Sequence, residues 1–277
     1  MGPVILSERL RAVASMVTPG SRVCDVGCDH GFVSIWLVEQ NVSPRVLAMD
    51  VRVGPLGAAG RHVAQRGLES WIETRLSDGL HNYEIGEADS LICAGMGGRL
   101  MMHILGEEKA KTDSFTELIL QPQSEIMQFR TWLREQGLRI TDEKMVEEDG
   151  KFYPMMRAVP EAGCSRVEDA GESRRSGDSG SQKPAADAAH GGIQGMEQGK
   201  LCKLYDRYGG FLLQRGDSTL LAFLQKEERI HIEILDRLQG QGLDCDKRRM
   251  RYAEVETLLA ECRKAKEIAL RGAGCGS

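Results

Sequence analysis

Val23-Cys24-Asp25-Val26-Gly27-Cys28-Asp29-His30-Gly31 reads as an apolar strand that ends in acids and glycines and opens directly into a helix pattern. Glycine lacks the Cβ that would keep a ligand away from the backbone, so such a turn suits a nucleotide-like molecule. Asp50 closes a second apolar run, Val46-Leu47-Ala48-Met49, at a distance that suits a carboxylate accepting ribose hydroxyls from the neighbouring parallel strand. A dinucleotide site would show G-x-G-x-x-G, with room for a diphosphate on the helix N-terminus. Here Cys28 and Asp29 fill the loop, and a carboxylate there repels a diphosphate. It favours a positively charged ligand, such as the sulfonium of S-adenosylmethionine.

Outward from this turn the pattern alternates. Strands are predicted over 22–26, 45–50, 71–76, 89–94 and 116–121, with helices near 31–40, 55–66, 98–106 and 124–136 between them. This is the rhythm of an open, mostly parallel α/β sheet that binds ligands at the carboxyl ends of its strands. Ahead of it, Leu6, Leu10, Val13, Ala14 and Val17 keep helical spacing behind a possible N-cap at Ser7, closed by Pro19-Gly20. Behind it, Arg139–Glu147 and Phe152–Val159 flank an Asp149-Gly150 hairpin signal. The sheet is therefore expected to end in an antiparallel pair, as Rossmann-like class I methyltransferase sheets do.

From Glu161 to Gly199 apolar periodicity is lost and Gly, Ser, Ala, Asp and Arg dominate, a composition expected to form a flexible linker. An apolar-aromatic segment, 201–213, then precedes two long helical patterns near 218–239 and 246–270, broken at Gly240-Gln241-Gly242. Val255, Leu258, Leu259, Cys262, Ala265 and Ala269 keep one narrow seam, which predicts an antiparallel, coiled-coil-like helical hairpin. The expected division is a cofactor-binding unit over 1–160, a linker over 161–199 and a helical unit over 200–277.

Net charge is −5 over the 277 residues, yet residues 200–277 alone carry 15 Lys and Arg against 12 Asp and Glu. A polyanion would be gripped there. No apolar run is long enough to span a membrane, and the N-terminus lacks a secretory pattern, so the expectation is a cytoplasmic protein. The eight cysteines form no C-x-x-C pair and read as buried free thiols; no metal is expected, and a monomer suffices.

Several residues could carry chemistry. Asp25, Gly27 and Gly31 form a D-x-G-x-x-x-G pattern that suits a cofactor turn, with a tight strand-to-helix turn that holds no ligand as the alternative. Asp78-Gly79 could frame an adenine ring or make a plain turn. Ala94-Gly95-Met96-Gly97-Gly98 ends the fourth strand, where small residues let an acceptor approach the methyl donor, although glycines also open helices. The Asn/Asp-Pro-Pro-aromatic motif of enzymes that methylate exocyclic amines is absent, which argues against such an acceptor. Phe32, Trp36, Tyr153 and Tyr208 could stack on a base or fill the core.

The ordered set Leu6-Ser7-x-Arg9-Leu10, Asp25-x-Gly27-x-Asp29-His30, Gly54-Pro55, Asp78-Gly79-Leu80, Ala94-Gly95-Met96-Gly97-Gly98, Leu120-Gln121-Pro122 and Asp206-Arg207-Tyr208-Gly209 resembles the bacterial tRNA (adenine-N1)-methyltransferases of the TrmK family, which modify adenosine 22. Two features depart from the family pattern: a longer linker, and Gly210 where proline is common. The resemblance implies a class I methyltransferase domain with a C-terminal helical domain, S-adenosylmethionine as cofactor and tRNA as partner. Adenine N1 has its own lone pair, so no strong base is required and alignment plus negative charge near the developing cation suffice. Asp29 is the expected catalytic carboxylate, with helix capping as its alternative. Arg9, Asp25, Gly27, His30, Gly31, Asp50, Asp78, Gly79, Ala94 and Gly95 are expected around the cofactor. For Arg9 the family pattern suggests the cofactor carboxylate, and a solvated helix face is the alternative. Lys247, Arg248, Arg249 and Arg251 are the expected phosphate contacts, unless they form only a solvated face. Other readings of the chain are a methyltransferase for a small-molecule or protein acceptor and a non-catalytic S-adenosylmethionine-binding interaction protein.

Overall fold

The computed structural model describes residues 2–161, 196–242 and 244–274, with side chains omitted at 196–198. Most of the expected linker, residues 162–195, lies outside the described residues, and Met196 to Gly199 already belong to a helix. Seven strands, β1 (Val23–Val26), β2 (Val46–Asp50), β3 (Ile72–Leu76), β4 (Ser90–Met96), β5 (Glu117–Pro122), β6 (Leu138–Glu148) and β7 (Lys151–Pro160), form one sheet in the order β3-β2-β1-β4-β5-β7-β6. The first five run parallel, and β7 enters antiparallel between β5 and β6. Asp149 and Gly150 both take positive φ, 51° and 72°, as the tight hairpin turn requires.

Helices α1 (Glu8–Ala14), α2 (Phe32–Glu39), α3 (Val53–Gln65), α4 (Gly98–Glu107), α5 (Lys109–Thr112) and α6 (Ile126–Glu135) complete this unit. The Ser7 hydroxyl caps α1 by accepting the Leu10 amide. The one-turn helix α5 was not expected from the sequence. Because helices cover both faces, β1 and β2 are buried along their full length. Side chains of successive strand residues point to opposite faces and sort into two cores. Cys24, Met49, Leu91 and Cys93 join Met101, Leu105 and Phe129 on one face, whereas Val23, Ala48 and Ile92 join Val13, Ile35 and Leu37 on the other.

The apolar-aromatic segment forms α7 (Met196–Tyr208) and α8 (Gly210–Gln214), followed by α9 (Ser218–Gly240) and α10 (Asp246–Gly274). The seam is buried as expected at Val255, Leu259, Cys262, Ala265 and Ala269, whereas Leu258 is only partly buried. Leu204, Tyr208, Leu212, Leu213, Leu220 and Leu224 close the base of the hairpin around it. Tyr208 donates to Glu227 Oε2 at 2.9 Å inside this core, so it is not a base-stacking residue.

The Asp206-Arg207-Tyr208-Gly209 motif is the joint between the units. The Arg134 guanidinium grips the Asp206 carboxylate at 2.6 and 2.8 Å, and Thr131 Oγ1 donates to Asp206 Oδ2. Buried Arg130 binds Glu143 Oε1 at 2.8 Å and the carbonyls of Asp206 and Arg207 at 3.1 Å. Glu143 Oε2 accepts the Phe211 amide. Gly209, at φ 95°, passes so close that a Cβ would sit 2.8 Å from both Glu143 oxygens, which explains a glycine here.

From this joint α9 runs alongside β6 toward the β6–β7 turn. Arg215 pairs with Asp142, Phe223 meets the Phe152 ring at 5.3 Å, and Lys226 Nζ donates to the Gly150 carbonyl. Beyond that point α9 continues for about 20 Å at ~1.5 Å per residue. Since β7 is antiparallel to β5, this turn lies at the carboxyl end of the parallel strands, and the hairpin projects on that side.

Candidate functional site

Strand order reverses at β1, which has β2 on one side and β4 on the other, and a cleft of about 610 Å³ opens at the carboxyl ends of these strands. All ten expected cofactor residues except Gly31 line it directly, together with Asp29. Gly31 instead N-caps α2 at φ 75°, where a Cβ would meet Ala59 at 3.0 Å. It lets α2 approach α3, a positioning role.

The turn is tied down by backbone. Gly27 and Cys28 amides both donate to the Met49 carbonyl, at 2.8 and 2.9 Å. Gly27, at φ 74°, faces the Met96 methyl group across the cleft floor, where a Cβ would leave no space. Asp50 is nearly buried; Oδ2 accepts the Asp29 amide at 3.0 Å and Oδ1 accepts the Arg52 amide at 2.8 Å. These donors fix the carboxylate and leave further lone pairs for ribose hydroxyls.

Asp25 lies deeper. Its Oδ2 accepts the Ser34 hydroxyl at 2.6 Å. Burial raises its pKa from 3.8 to about 6, with a smaller contribution from the Asp50 charge, while the Ser34 hydrogen bond opposes the rise. A buried acid whose charge is penalised by desolvation and by an acidic neighbour gains from a cation placed beside it.

Asp29 adopts φ 50°, a backbone conformation that favours glycine, and its exposed carboxylate does not cap α2. The capping alternative is thereby excluded. Its Oδ1 accepts from Arg52 Nη2 at 3.2 Å, and His30 Nε2 stands 3.8 Å from Oδ2. Arg52 also touches Asp50 Oδ1 at 3.5 Å and bridges the two acids. Sequence reading missed Arg52, although its place two residues beyond Asp50 was the available signal.

Arg9 is not on a solvated helix face. Its Nη1 donates to Gln121 Oε1 at 2.8 Å, its amide donates to Glu148 Oε1, and its guanidinium stands 5.4 Å from the Tyr153 ring centre. Tyr153 is thus under Arg9, and Trp36 packs on a core. Among the four aromatic candidates Phe32 lines the cleft, stacked on His62 with ring centres 5.0 Å apart.

Gly95, at φ 80°, leaves an opening between Arg9 and Gln123. Gly79, at φ 50°, lies against Ile104, and exposed Asp78 stands at the rim. Cys24, Cys28, Cys93 and Cys262 are buried free thiols; Cys202 and Cys245 are exposed. Burial pushes the Cys93 thiol up to about 12, which keeps it a neutral packing group. Cys164 and Cys275 lie outside the described residues.

The four basic candidates sit at the far tip of the hairpin. Arg248 binds the Gln241 and Gly242 carbonyls and Asp244, Arg249 pairs with Asp246, and Arg251 with Glu254. Arg248 therefore closes the α9 end, and its charge is locally compensated. Lys247 is exposed. No helix among the described residues is long and apolar enough to cross a membrane.

A family model described as a methyltransferase domain matches residues 6–156. The chain is 38% identical over 163 residues to a tRNA (adenine(22)-N(1))-methyltransferase of Bacillus subtilis, covering 59% of this chain and 68% of that protein. It superposes on the crystal structure of the B. subtilis m1A22 tRNA methyltransferase TrmK with a TM-score of 0.72 at 28% identity, covering 95% and 99% of the two chains. The structure of Streptococcus pneumoniae Sp1610, described as a putative tRNA (m1A22) methyltransferase, in complex with S-adenosyl-L-methionine gives 0.69 at 27% identity, covering 95% and 100%.

Proposed function

The chain belongs to the TrmK family of class I methyltransferases, and on that premise we propose that it methylates N1 of adenosine 22 in tRNA, using S-adenosylmethionine. The observation that carries this reading is the acidic cleft at the β1–β4 switch point, with a helical hairpin projecting from the same end of the sheet.

Bound S-adenosylmethionine supplies an electrophilic methyl group on a sulfonium. The residues of the cleft fit such a ligand: Asp50 is preset for a ribose, Asp25 presents negative charge, and Gly27 lets the turn lie close against Met96. Arg9, steadied by Gln121 and Glu148, offers a cation for a carboxylate. Asp78 and Gly79 close the adenine end, and Ala94 with Gly95 keeps the acceptor path open. His30 steadies Asp29. Asp29 favours the positive charge that develops on the target adenine, and Arg52 holds it in place without shielding it from solvent.

Residues 1–160 carry cofactor and chemistry in this reading, and the helices from α7 onward hold tRNA. Lys247, Arg249 and Arg251 at the tip contact phosphates in this reading, while Arg248 shapes the tip. The decisive experiment incubates the protein with labelled S-adenosylmethionine and unmodified tRNA, digests the RNA and maps the label. N1-methyladenosine at position 22 is the expected product. Transfer to a small molecule or protein, with tRNA unlabelled, would overturn the reading.

A further inference from the structure

We infer that Gln123 reads the target base, accepting a hydrogen bond from adenine N6 and donating one to N7; this rests on the tRNA adenine-N1 reading above. Gln123 follows β5 directly, and its amide donates to the Met96 carbonyl at 2.8 Å, which fixes its backbone at the end of β4. A side chain at Gly95 would come within 3.8 Å of Gln123 Nε2 and 3.7 Å of Arg9 Nη1. Gln123 and Arg9 therefore flank the glycine opening through which an acceptor ring reaches the methyl donor.

Among the described residues lining the cleft, Gln123 is the one carboxamide. Asp29 only accepts, Arg9 and Arg52 only donate, and the nearby Gln121 is buried with Oε1 taken by Arg9. Adenine presents a donor at N6 beside an acceptor at N7, and a planar amide matches both at once. Guanine presents two acceptors on that edge and pairs poorly with Oε1. Contact on the N6–N7 edge leaves N1 free.

The N1 lone pair forms the new N–CH3 bond as the S–CH3 electron pair returns to sulfur, and no proton moves. Positive charge then spreads over N1, C6 and N6, which makes N6–H a better donor. The hydrogen bond to Gln123 Oε1 strengthens as the reaction proceeds, so the residue acts on turnover as well as on base choice.

The test compares full-length wild type, Gln123→Ala and Gln123→Glu on tRNA carrying adenosine or 7-deazaadenosine at position 22, in single turnover with saturating S-adenosylmethionine. Replacing N7 alters the nucleophilicity of N1 equally for all three proteins, so the rate ratio between the two tRNAs, compared across proteins, isolates the contact. Wild type should lose roughly fivefold more on the 7-deaza substrate than Gln123→Ala does. Gln123→Ala should methylate adenosine roughly 10- to 100-fold more slowly than wild type. Gln123→Glu keeps the acceptor for N6 but sets an acceptor against N7, so its loss on the 7-deaza substrate should be no larger than that of Gln123→Ala. An identical ratio in wild type and Gln123→Ala, or a wild-type rate for Gln123→Ala on adenosine, overturns the assignment. Wild type that leaves adenosine 22 unmethylated overturns the parent reading, and this one with it.

Discussion

Asp25→Asn converts the deepest acid of the cleft into a neutral group of the same shape and should abolish most of the pH dependence of cofactor binding between pH 5 and 7. Asp25 titrates at about 6, because burial penalises its charge more than the Ser34 hydroxyl relieves it. A ligand with an ammonium and a sulfonium favours the ionised form, so binding expels the proton that Asp25 carries below that pH. With a value of about 6, roughly nine-tenths of the carboxyl is ionised at pH 7 and one-tenth at pH 5. Affinity should fall about tenfold across that interval, close to 1.4 kcal/mol. Titration calorimetry in two buffers of different ionisation enthalpy should count about half a proton released at pH 6. Every other side chain of the cleft is common to the variant, so the difference belongs to Asp25. A pH profile unchanged in Asp25→Asn would refute the reasoning. Stability carries the matching sign. The folded value lies above the ordinary one, so the contribution of Asp25 is complete below pH 3.8 and lost as pH rises through 6. In full it amounts to roughly 3 kcal/mol, and urea unfolding of the ligand-free protein should show that decline in wild type and not in Asp25→Asn.

Arg130→Ala strands the buried Glu143 carboxylate and frees two carbonyls at the joint, so urea unfolding should show a loss of about 3–5 kcal/mol; the paired Arg130→Met/Glu143→Leu variant should cost markedly less. A single variant within 1 kcal/mol of wild type would contradict the ion-pair account of the joint. Asp29→Ala should slow single-turnover methylation roughly 10- to 100-fold with cofactor affinity nearly unchanged, since Asp50 is held by the Asp29 backbone amide and not by its side chain; an equal loss in affinity would make Asp29 a cofactor residue. Lys247→Ala should weaken tRNA binding and reduce the salt slope by roughly one charge, whereas Arg248→Ala should also loosen the hairpin tip, seen as faster amide exchange around Gln241. An unchanged salt slope for Lys247→Ala would remove the tip from the RNA surface.

The central strands and the antiparallel finish were legible because strands covered on both faces are apolar along most of their length, as at Val46-Leu47-Ala48-Met49, and because Asp149-Gly150 admits the positive φ of a tight turn. The helical seam was legible for the same reason: Val255, Leu259, Cys262, Ala265 and Ala269 recur with helical period and are buried. Local turns of the cleft, at Gly27 and Asp50, follow from residue type. Partnerships between distant positions do not. Nothing in the spacing of Arg9, Gln121 and Glu148 reveals that the first is held by the other two across more than a hundred residues. Nor does a charge pattern reveal that Arg248 is spent on the α9 end, because lysines and arginines at a turn look alike whether they meet phosphate or carbonyl. The apolar-aromatic stretch 201–213 was ambiguous because Gly209-Gly210 interrupts helical periodicity. That interruption is where the chain passes Glu143 too closely for any Cβ.

The joint and the cleft are linked by direction. A hairpin anchored only at its base could point anywhere, but here three successive contacts, Arg215 to Asp142, Phe223 to Phe152 and Lys226 to Gly150, follow β6 to its turn. The same turn carries Glu148, which binds the Arg9 amide at the edge of the cleft. An RNA touching the tip thus spans about 20 Å of free helix before its target base meets the opening at Gly95. In the proposed reading a folded tRNA reaches both places at once, whereas an isolated nucleoside would reach only the cleft. In the proposed function, substrate selection splits between two surfaces: the hairpin would favour a folded polyanion, and the cleft would choose the base. Tip variants should then change KM for tRNA and leave turnover at saturating tRNA intact, and cleft variants such as Asp29→Ala should do the reverse.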